Sequence, residues 1–474
     1  MTTTDSALAP TVTALPLTIG DAVAALRGGE LTATALTEAL IARADKLDAA
    51  LGCYLARTDE EALAAAAAAD AALGSGDPVG PLTGIPLAVK DIIATRDAPT
   101  TAQSLVLQPE FGARGDAPVV ARLRAAGAVI TGKVTTMEYA IGCPDASKPF
   151  PIPRNPWNLD HWTGGSSSGT GNGVAAGLFL GGLGTDTGGS VRLPASWCGI
   201  SGLKQTFGRV PKSGCVPLGY SYDNIGPMAR SAYDCAVMLA VMAGHDESDA
   251  CSVDRPVDDY VAALTGDVSG LRIGVVTDLI DPPGADPDNA VRFRAALDVL
   301  AAAGADLVEI TLPLREEVKT AVMAGLTAEA FAYHRNDMTT RWTDYGGPTR
   351  AAIALAVFTG AADYVQAQRV RRVAVGAVAE LFTQVDVVAH PSCAVPAPEL
   401  ATLTFDGLID SIHTQYWNGV GNPAISIPMG LTTSGLPVGL HMAGRPFEES
   451  TVLRVADAYQ RRTDHHLAVP ALAQ

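Results

Sequence analysis

Residues 164–192 read GGSSSGTGNGVAAGLFLGGLGTDTGGSVR, and this stretch decides how the rest of the chain is read. Its first part sets Ser166, Ser167 and Ser168 between glycines, from Gly164 to Gly171. Glycine loses more conformational freedom on folding than any other residue, so such a run is costly unless the backbone itself serves a purpose. A flexible linker has a similar composition. Here, though, ordered-looking segments flank the run. Residues 164–173 read as a loop, 174–176 as the small-residue turn of a helix, 178–183 as a strand and 185–190 as a second glycine-rich turn. That turn places Gly188 and Gly189 directly before Ser190. Adjacent glycines let successive N–H groups converge on one point, the way an oxyanion hole is built from backbone alone. Thr187, Gly188, Gly189 and Ser190 are the candidate donors, and an ordinary β-turn is the competing reading.

Upstream, Gly84-Ile85-Pro86-Leu87-Ala88-Val89 reads as an apolar strand over 85–89 that ends at Lys90-Asp91. Burial disfavours an ammonium and lowers its pKa, which turns a lysine into a candidate base. A lysine that reaches the surface or pairs with Asp91 fits the same letters. Around this centre the chain alternates between period types. Residues 18–72 are mostly helical with a break at Gly28-Gly29, 117–127 form a helix with a glycine stop, and 128–131 form a strand. Alternation of strands and helices to about residue 245 indicates an α/β architecture. Residues 250–380 are Ala-rich and helical apart from a strand at 273–276, and strands at 385–389, 424–428 and 438–443 precede a last helix at 449–461. The expectation is a loose tail over 1–17 and a single domain over 18–474. Within it lie N-terminal helices (18–75), a catalytic core (76–245), a helical sub-region (250–380) and closing strands with a helix (385–463).

Composition narrows the function. With 33 Lys and Arg against 50 Asp and Glu, the net charge is −17. A nucleic acid would be repelled without a compensating basic patch, and no Lys/Arg run supplies one. Seven cysteines, an odd number without metal-like spacing, read as reduced thiols. The N-terminus has no basic residue before an apolar core, so it does not read as a signal peptide. No apolar run reaches the roughly 18 residues that span a bilayer. These features together predict a cytoplasmic protein without a membrane partner, metal or cofactor.

Three other matches lie in the same stretch. Gly165-Ser166-Ser167-Ser168-Gly169 fits the G-x-S-x-G elbow of esterases, with Ser167 as nucleophile and His390, His413 or His441 as the late histidine. Asp186-Thr187-Gly188 fits the aspartic-protease triplet, but the second copy that chemistry requires is absent. Gly169, Gly171 and Gly173 resemble a dinucleotide loop, yet they follow a loop and not a strand.

Taken in order, the clusters resemble the amidase signature family. Lys90-Asp91, Gly164–Gly169 and Gly184–Ser190 match its motifs, and Ser166 and Ser190 stand at its interval of 24 residues. The likeness continues through Pro194-Ala195, Cys198-Gly199, Gly202-Leu203-Lys204, Gly208-Arg209-Val210, Asp223-x-x-Gly226-Pro227, Gly421-Asn422-Pro423-Ala424 and Gly435–Leu440. The resemblance implies a large mixed, twisted β-sheet between helical layers. It also implies a Ser–cis-Ser–Lys triad: Ser190 as nucleophile, Ser166 as proton shuttle on a cis peptide, and Lys90 as base. Departures occur at Gln103 and Gln205, where the family usually has Gly and Pro. The expectation is a stand-alone hydrolase of small or aryl amides or carbamates (urethanes), with a small-molecule substrate, no nucleic acid and a possible homodimer. The alternative is the glutaminase A subunit of a glutamyl-tRNA amidotransferase. Expected pocket residues are Met137, Tyr139, Ile141, Gly142, Arg209, Leu218, Gly219 and Tyr220. Arg192 and His161 are further candidates near the cleft.

Overall fold

At the centre of the molecule lies the strand Pro86–Lys90, buried at all five positions. A strand covered on both faces reads as a continuous apolar run, which is why Ile85 to Val89 shows no alternation. In the computed structural model, which describes residues 15–112 and 115–474, this strand pairs in parallel with Val129–Val134 on one side and Gly181–Asp186 on the other. The sheet has 11 strands. Their order across it is Tyr54–Arg57, Val129–Val134, Pro86–Lys90, Gly181–Asp186, Asn224–Ala229, Ser201–Lys204, Ala424–Leu431, Pro437–Ala443, Val387–Pro391, Arg272–Val276 and Asp306–Ile310. Parallel and antiparallel pairings are mixed, and helices pack against the sheet. The protein therefore has the expected mixed α/β architecture built on one large sheet. The proposed tail falls mostly on residues 1–14, outside the described residues.

The serine-rich stretch departs from its reading as a loop. Residues 164–167 are irregular, but Ser168–Ala176 is a helix buried at all nine positions. Its glycines are poor helix formers, so packing and not propensity decides. A β-carbon on Gly169 would sit 2.5 Å from Thr135 N, and one on Gly173 2.2 Å from Phe179 Cζ. The adjoining strand starts at Gly181, later than expected, and runs through Asp186. A β-carbon on Gly184 would meet Met228 Sδ at 2.7 Å and Ser167 Oγ at 2.8 Å. That missing side chain lets the two serine-bearing segments lie against each other.

Two edge strands escaped the sequence reading. Tyr54–Arg57 interrupts the N-terminal helices, which are Ile19–Arg27, Ala33–Leu51 and Asp59–Ser75. Asp306–Ile310 lies inside the Ala-rich sub-region. Each has one neighbour in the sheet, so neither carries a strong burial pattern. In the helical sub-region, Arg315–Thr340 packs against Ala361–Gln384 and faces the catalytic core. Among the described residues no helix is long and apolar enough to cross a membrane.

Candidate active site

Lys90 is the last residue of the central strand and is fully buried. Its Nζ lies 2.6 Å from Ser166 Oγ, 2.7 Å from Thr185 Oγ1 and 3.1 Å from Ser167 Oγ. Among the described residues no carboxylate pairs with it. The neighbouring Asp91 turns instead to Lys133, at 3.1 Å. Burial pushes the Lys90 ammonium down to about 7, with weaker opposing pulls from Cys215, Asp186 and Asp223. The hydroxyl geometry suits the neutral amine. Ser167 Oγ donates to Thr185 O at 3.2 Å and accepts from Thr185 N at 3.1 Å, so toward Lys90 it is an acceptor. Two N–H bonds of a neutral amine can go to Ser167 and Thr185, which leaves the 2.6 Å contact with Ser166 Oγ for its lone pair. The Gly165–Ser166 peptide is cis.

Ser190 lies on the turn between the strand Gly181–Asp186 and the helix Arg192–Cys198. Asp186 organises this turn from behind. Its Oδ1 accepts from Gly189 N at 2.8 Å, and its Oδ2 accepts from Val191 N at 3.2 Å and Arg192 Nε at 2.9 Å. Asn418 and Arg192 Nη2 complete the carboxylate's partners. Burial alone would raise the Asp186 pKa, but Arg192 and Asn418 hold it down to about 2. Gly189 is thereby removed from the four expected oxyanion donors, because its N–H is spent on Asp186. The N–H groups of Thr187, Gly188 and Ser190 meet no protein acceptor among the described residues. Thr414 Oγ1 donates to Gly188 O at 2.8 Å, and Ser167 N donates to Ser190 O at 3.2 Å. These bonds fix the turn at both ends.

The turn opens into an apolar pocket. Of the residues expected there, Met137, Ile141 and Leu218 line it, together with Thr187 to Ser190. Tyr139 points away and packs edge-on to His334 at 4.2 Å between ring centroids. Gly142 lies against Thr349, Gly219 against the methyl of Thr187, and Tyr220 borders a neighbouring cavity. Arg209 is buried far from this chemistry. It pairs with Glu449 at 3.8 Å, donates to Pro256 O at 2.8 Å and stacks on Phe447. Arg192 serves Asp186, and His161 is tied to Ala397 O at 2.7 Å. The sequence reading missed Val322, Met323 and Leu326 on Arg315–Thr340, and Phe405, Leu408, Ile412 and Gln415 on the segment that follows the strand Val387–Pro391. They reach the site through long-range packing, and no local motif marks them. Among the described residues none of the lining side chains is charged. Ser167 is fully buried and its hydroxyl is engaged by Lys90 and Thr185, so it is no exposed elbow nucleophile.

A family model described as Amidase matches residues 35–453. The A subunit of the glutamyl-tRNA(Gln) amidotransferase of Roseiflexus sp. strain RS-1 is 41% identical over 482 residues, 96% of this chain and 98% of the relative. A structure described as a vestigial protein complex revealing the evolutionary origins of an s-triazine catabolic enzyme is 32% identical with a TM-score of 0.87, covering 94% of this chain and 98% of that one. The native peptide amidase of Stenotrophomonas maltophilia is 32% identical with a TM-score of 0.83, over 94% and 98%. The Roseiflexus relative overturns two expectations. A protein similar over nearly its whole length is one component of an amidotransferase, not a stand-alone hydrolase of aryl amides or carbamates. The enzyme to which it belongs is named for a tRNA, against the expected small-molecule substrate and absence of nucleic acid. The negative charge that prompted that expectation describes this chain alone and not an assembly.

Proposed function

The chain belongs to the amidase signature family, and from that premise we propose that it is the glutamine-hydrolysing component of an amidotransferase. The observation that carries this reading is the 41% identity to such a component over 96% of this chain and 98% of the relative. The net charge of −17 fits a division of labour in which a partner protein holds the tRNA. The apolar walls suit the two methylenes of a glutamine side chain. The α-ammonium and α-carboxylate of the substrate stay toward the mouth, because the described lining offers them no charged group.

In this reading Ser190 is the nucleophile, Ser166 relays its proton and Lys90 receives it. The carbonyl oxygen of the amide sits on the N–H groups of Thr187, Gly188 and Ser190, where negative charge develops in the transition state. The Ser190 Oγ–carbon bond forms as its proton passes through Ser166 to Lys90. The C–N bond then breaks, the proton returns through Ser166 to the nitrogen, and ammonia leaves. Water attacks the acyl-enzyme by the same relay and releases the acid. Each of the three N–H donors contributes on the order of 3 kcal/mol by the measured cost of losing one elsewhere.

The test is ammonia release from glutamine, by the purified chain and by the complex that co-purifies with it, with Ser190→Ala as control. The reading expects activity in the complex and its loss in Ser190→Ala. A complex that leaves glutamine intact overturns it.

A further inference from the structure

Gln103 is the chain's own departure at a position where the amidase signature family usually has glycine. Its φ is +49°, in the left-handed region that glycine enters freely and a residue with a β-carbon does not. Ala102 before it has a φ of +52°. Such backbone persists only where the surroundings over-determine it, and it clusters at functional sites. Here Asp91 does the holding. Its backbone oxygen accepts from Ala102 N at 2.9 Å, and its Oδ2 accepts from Thr101 N at 3.0 Å and from the Thr101 hydroxyl. Asp91 directly follows Lys90, so the loop 100–104 hangs on the end of the strand that carries the proposed base.

The side chain makes use of this position. Gln103 is buried, and its Oε1 accepts from Thr136 N at 2.9 Å. Three successive N–H groups of that segment go three ways: Thr135 N to Cys53 O at 2.8 Å, Thr136 N to Gln103, and Met137 N to Ser166 O at 3.1 Å. A glycine at 103 would leave the middle one without this acceptor, and an unpaired buried N–H is costly. Met137 also packs on the peptide before Ser166, where a β-carbon on Gly165 would meet its Sδ at 2.5 Å. The bonds close a circuit. It runs from Lys90 to Asp91, through the loop to Gln103, across to Thr136 and Met137, and on to the carbonyl of Ser166. It returns through the 2.6 Å contact between Ser166 Oγ and Lys90 Nζ. Resting on the reading of Ser190, Ser166 and Lys90 above, we infer that Gln103 is a positioning residue. By holding the Thr136–Met137 peptide it fixes Ser166 against Lys90 for the proton relay.

The test reads the relay at the nucleophile, so it does not depend on the natural substrate. Phenylmethanesulfonyl fluoride modifies an activated serine: the Ser190 Oγ–S bond forms, the S–F bond breaks with loss of fluoride, and the hydroxyl proton passes through Ser166 to Lys90. Intact mass follows the adduct on the purified full chain, and each variant is resolved into KI and kinact, with Ser190→Ala as control for the site. Gln103→Met keeps the length and loses the acceptor. Gln103→Gly loses the acceptor and relieves the backbone strain, and it carries the test if Gln103→Met does not fold. The proposal expects kinact to fall at least about tenfold in both while KI stays within about twofold, the pattern of a reacting group displaced by less than about 1 Å. Urea unfolding is measured alongside. A lowered urea midpoint with kinact unchanged, or a loss confined to KI, makes Gln103 merely structural and overturns the proposal while the triad stands. A wild type that is not modified, or a Ser190→Ala modified as fast, overturns the triad and this proposal with it.

Discussion

The backbone N–H of Gly189 donates to Asp186 Oδ1 at 2.8 Å, so the carboxylate at the end of the strand sets the shape of the turn that carries Ser190. The same carboxylate is the counter-ion of the fully buried Arg192. Asp186→Asn removes the charge while keeping the size. It leaves Arg192 uncompensated in the interior, which costs about 3–5 kcal/mol, and loosens the Gly189 peptide. Urea unfolding is expected to show that loss together with a fall in kcat. An Asp186→Asn protein of native stability and normal kcat would contradict this account.

Gly189 itself tolerates no side chain. Its φ is +133°, and a β-carbon there would lie 1.9 Å from Thr414 Oγ1. Gly189→Ala must therefore displace the turn, and a displacement of about 1 Å at a reacting centre costs on the order of a hundredfold in rate. The double variant Gly189→Ala/Thr414→Ala removes the Oγ1 clash but leaves the β-carbon of residue 414 at 2.8 Å and the backbone strain. Thermal unfolding should recover part of the stability in the double variant while kcat stays low. Full recovery of activity would sink the argument from φ.

In the proposed mechanism Lys90 carries the pH dependence of catalysis. Burial brings its pKa from 10.5 to about 7, so the folded protein releases this proton near neutrality while the unfolded chain holds it to about 10.5. Activity should rise with pH through a midpoint near 7 as the free amine forms. For stability the sign follows from proton counts: between the two values the unfolded state binds more protons, so stability rises with pH across that window. Lys204, also buried with a pKa near 7, adds to the same limb. The diagnostic quantity is therefore the difference between wild type and Lys90→Met. The variant should be inactive and should gain less stability from pH 7 to 9. A Lys90→Met protein with most of its activity at pH 8 refutes the assignment of the base.

How much of this was readable in the letters depended on whether a signal was local. Ser166 and Ser190 lie in glycine-rich clusters whose spacing is visible in the chain, and Lys90 ends the central strand, which shows as an unbroken apolar run. The helix Ser168–Ala176 did not show, because glycine opposes helix formation in isolation and only close packing on Thr135 and Phe179 restores it. The commitment of the Gly189 N–H to Asp186 is a matter of peptide orientation, which sequence does not encode locally. Val322, Met323 and Leu326 come from a helix more than a hundred residues downstream of Ser190. Arg209 misled because a motif position says nothing of which way a side chain points, and here it faces Glu449.

A group of buried histidines sets the acid limit of the fold. His390 and His441 stack with centroids 4.3 Å apart beside Trp417. His390 accepts from Trp417 Nε1 at 2.9 Å through Nε2 and has Nδ1 at 2.8 Å from Pro391 O, so its neutral tautomer uses both nitrogens. A second proton would be driven against the Trp417 N–H. His441 meets Arg192 Nη1 at 2.9 Å, which excludes a proton on its Nε2 in the same way. Burial holds His390 down to about 3 and His413 and His334 to about 4, and it drives His441 well below its ordinary value. Each of these groups is protonated in the unfolded chain below about 6.5 and remains neutral in the fold. The unfolded state therefore gains protons as pH falls, and stability is lost from about pH 6.5 down toward 4. One such histidine contributes a slope of up to about 1.4 kcal/mol per pH unit. His390→Gln removes the ionisable group at similar size. Denaturant unfolding of wild type and His390→Gln at pH 6.0, 5.5, 5.0 and 4.5 should give lines whose slopes differ by about one proton. Parallel lines would mean that His390 charges within the fold, and that the Trp417 N–H does not keep the proton out.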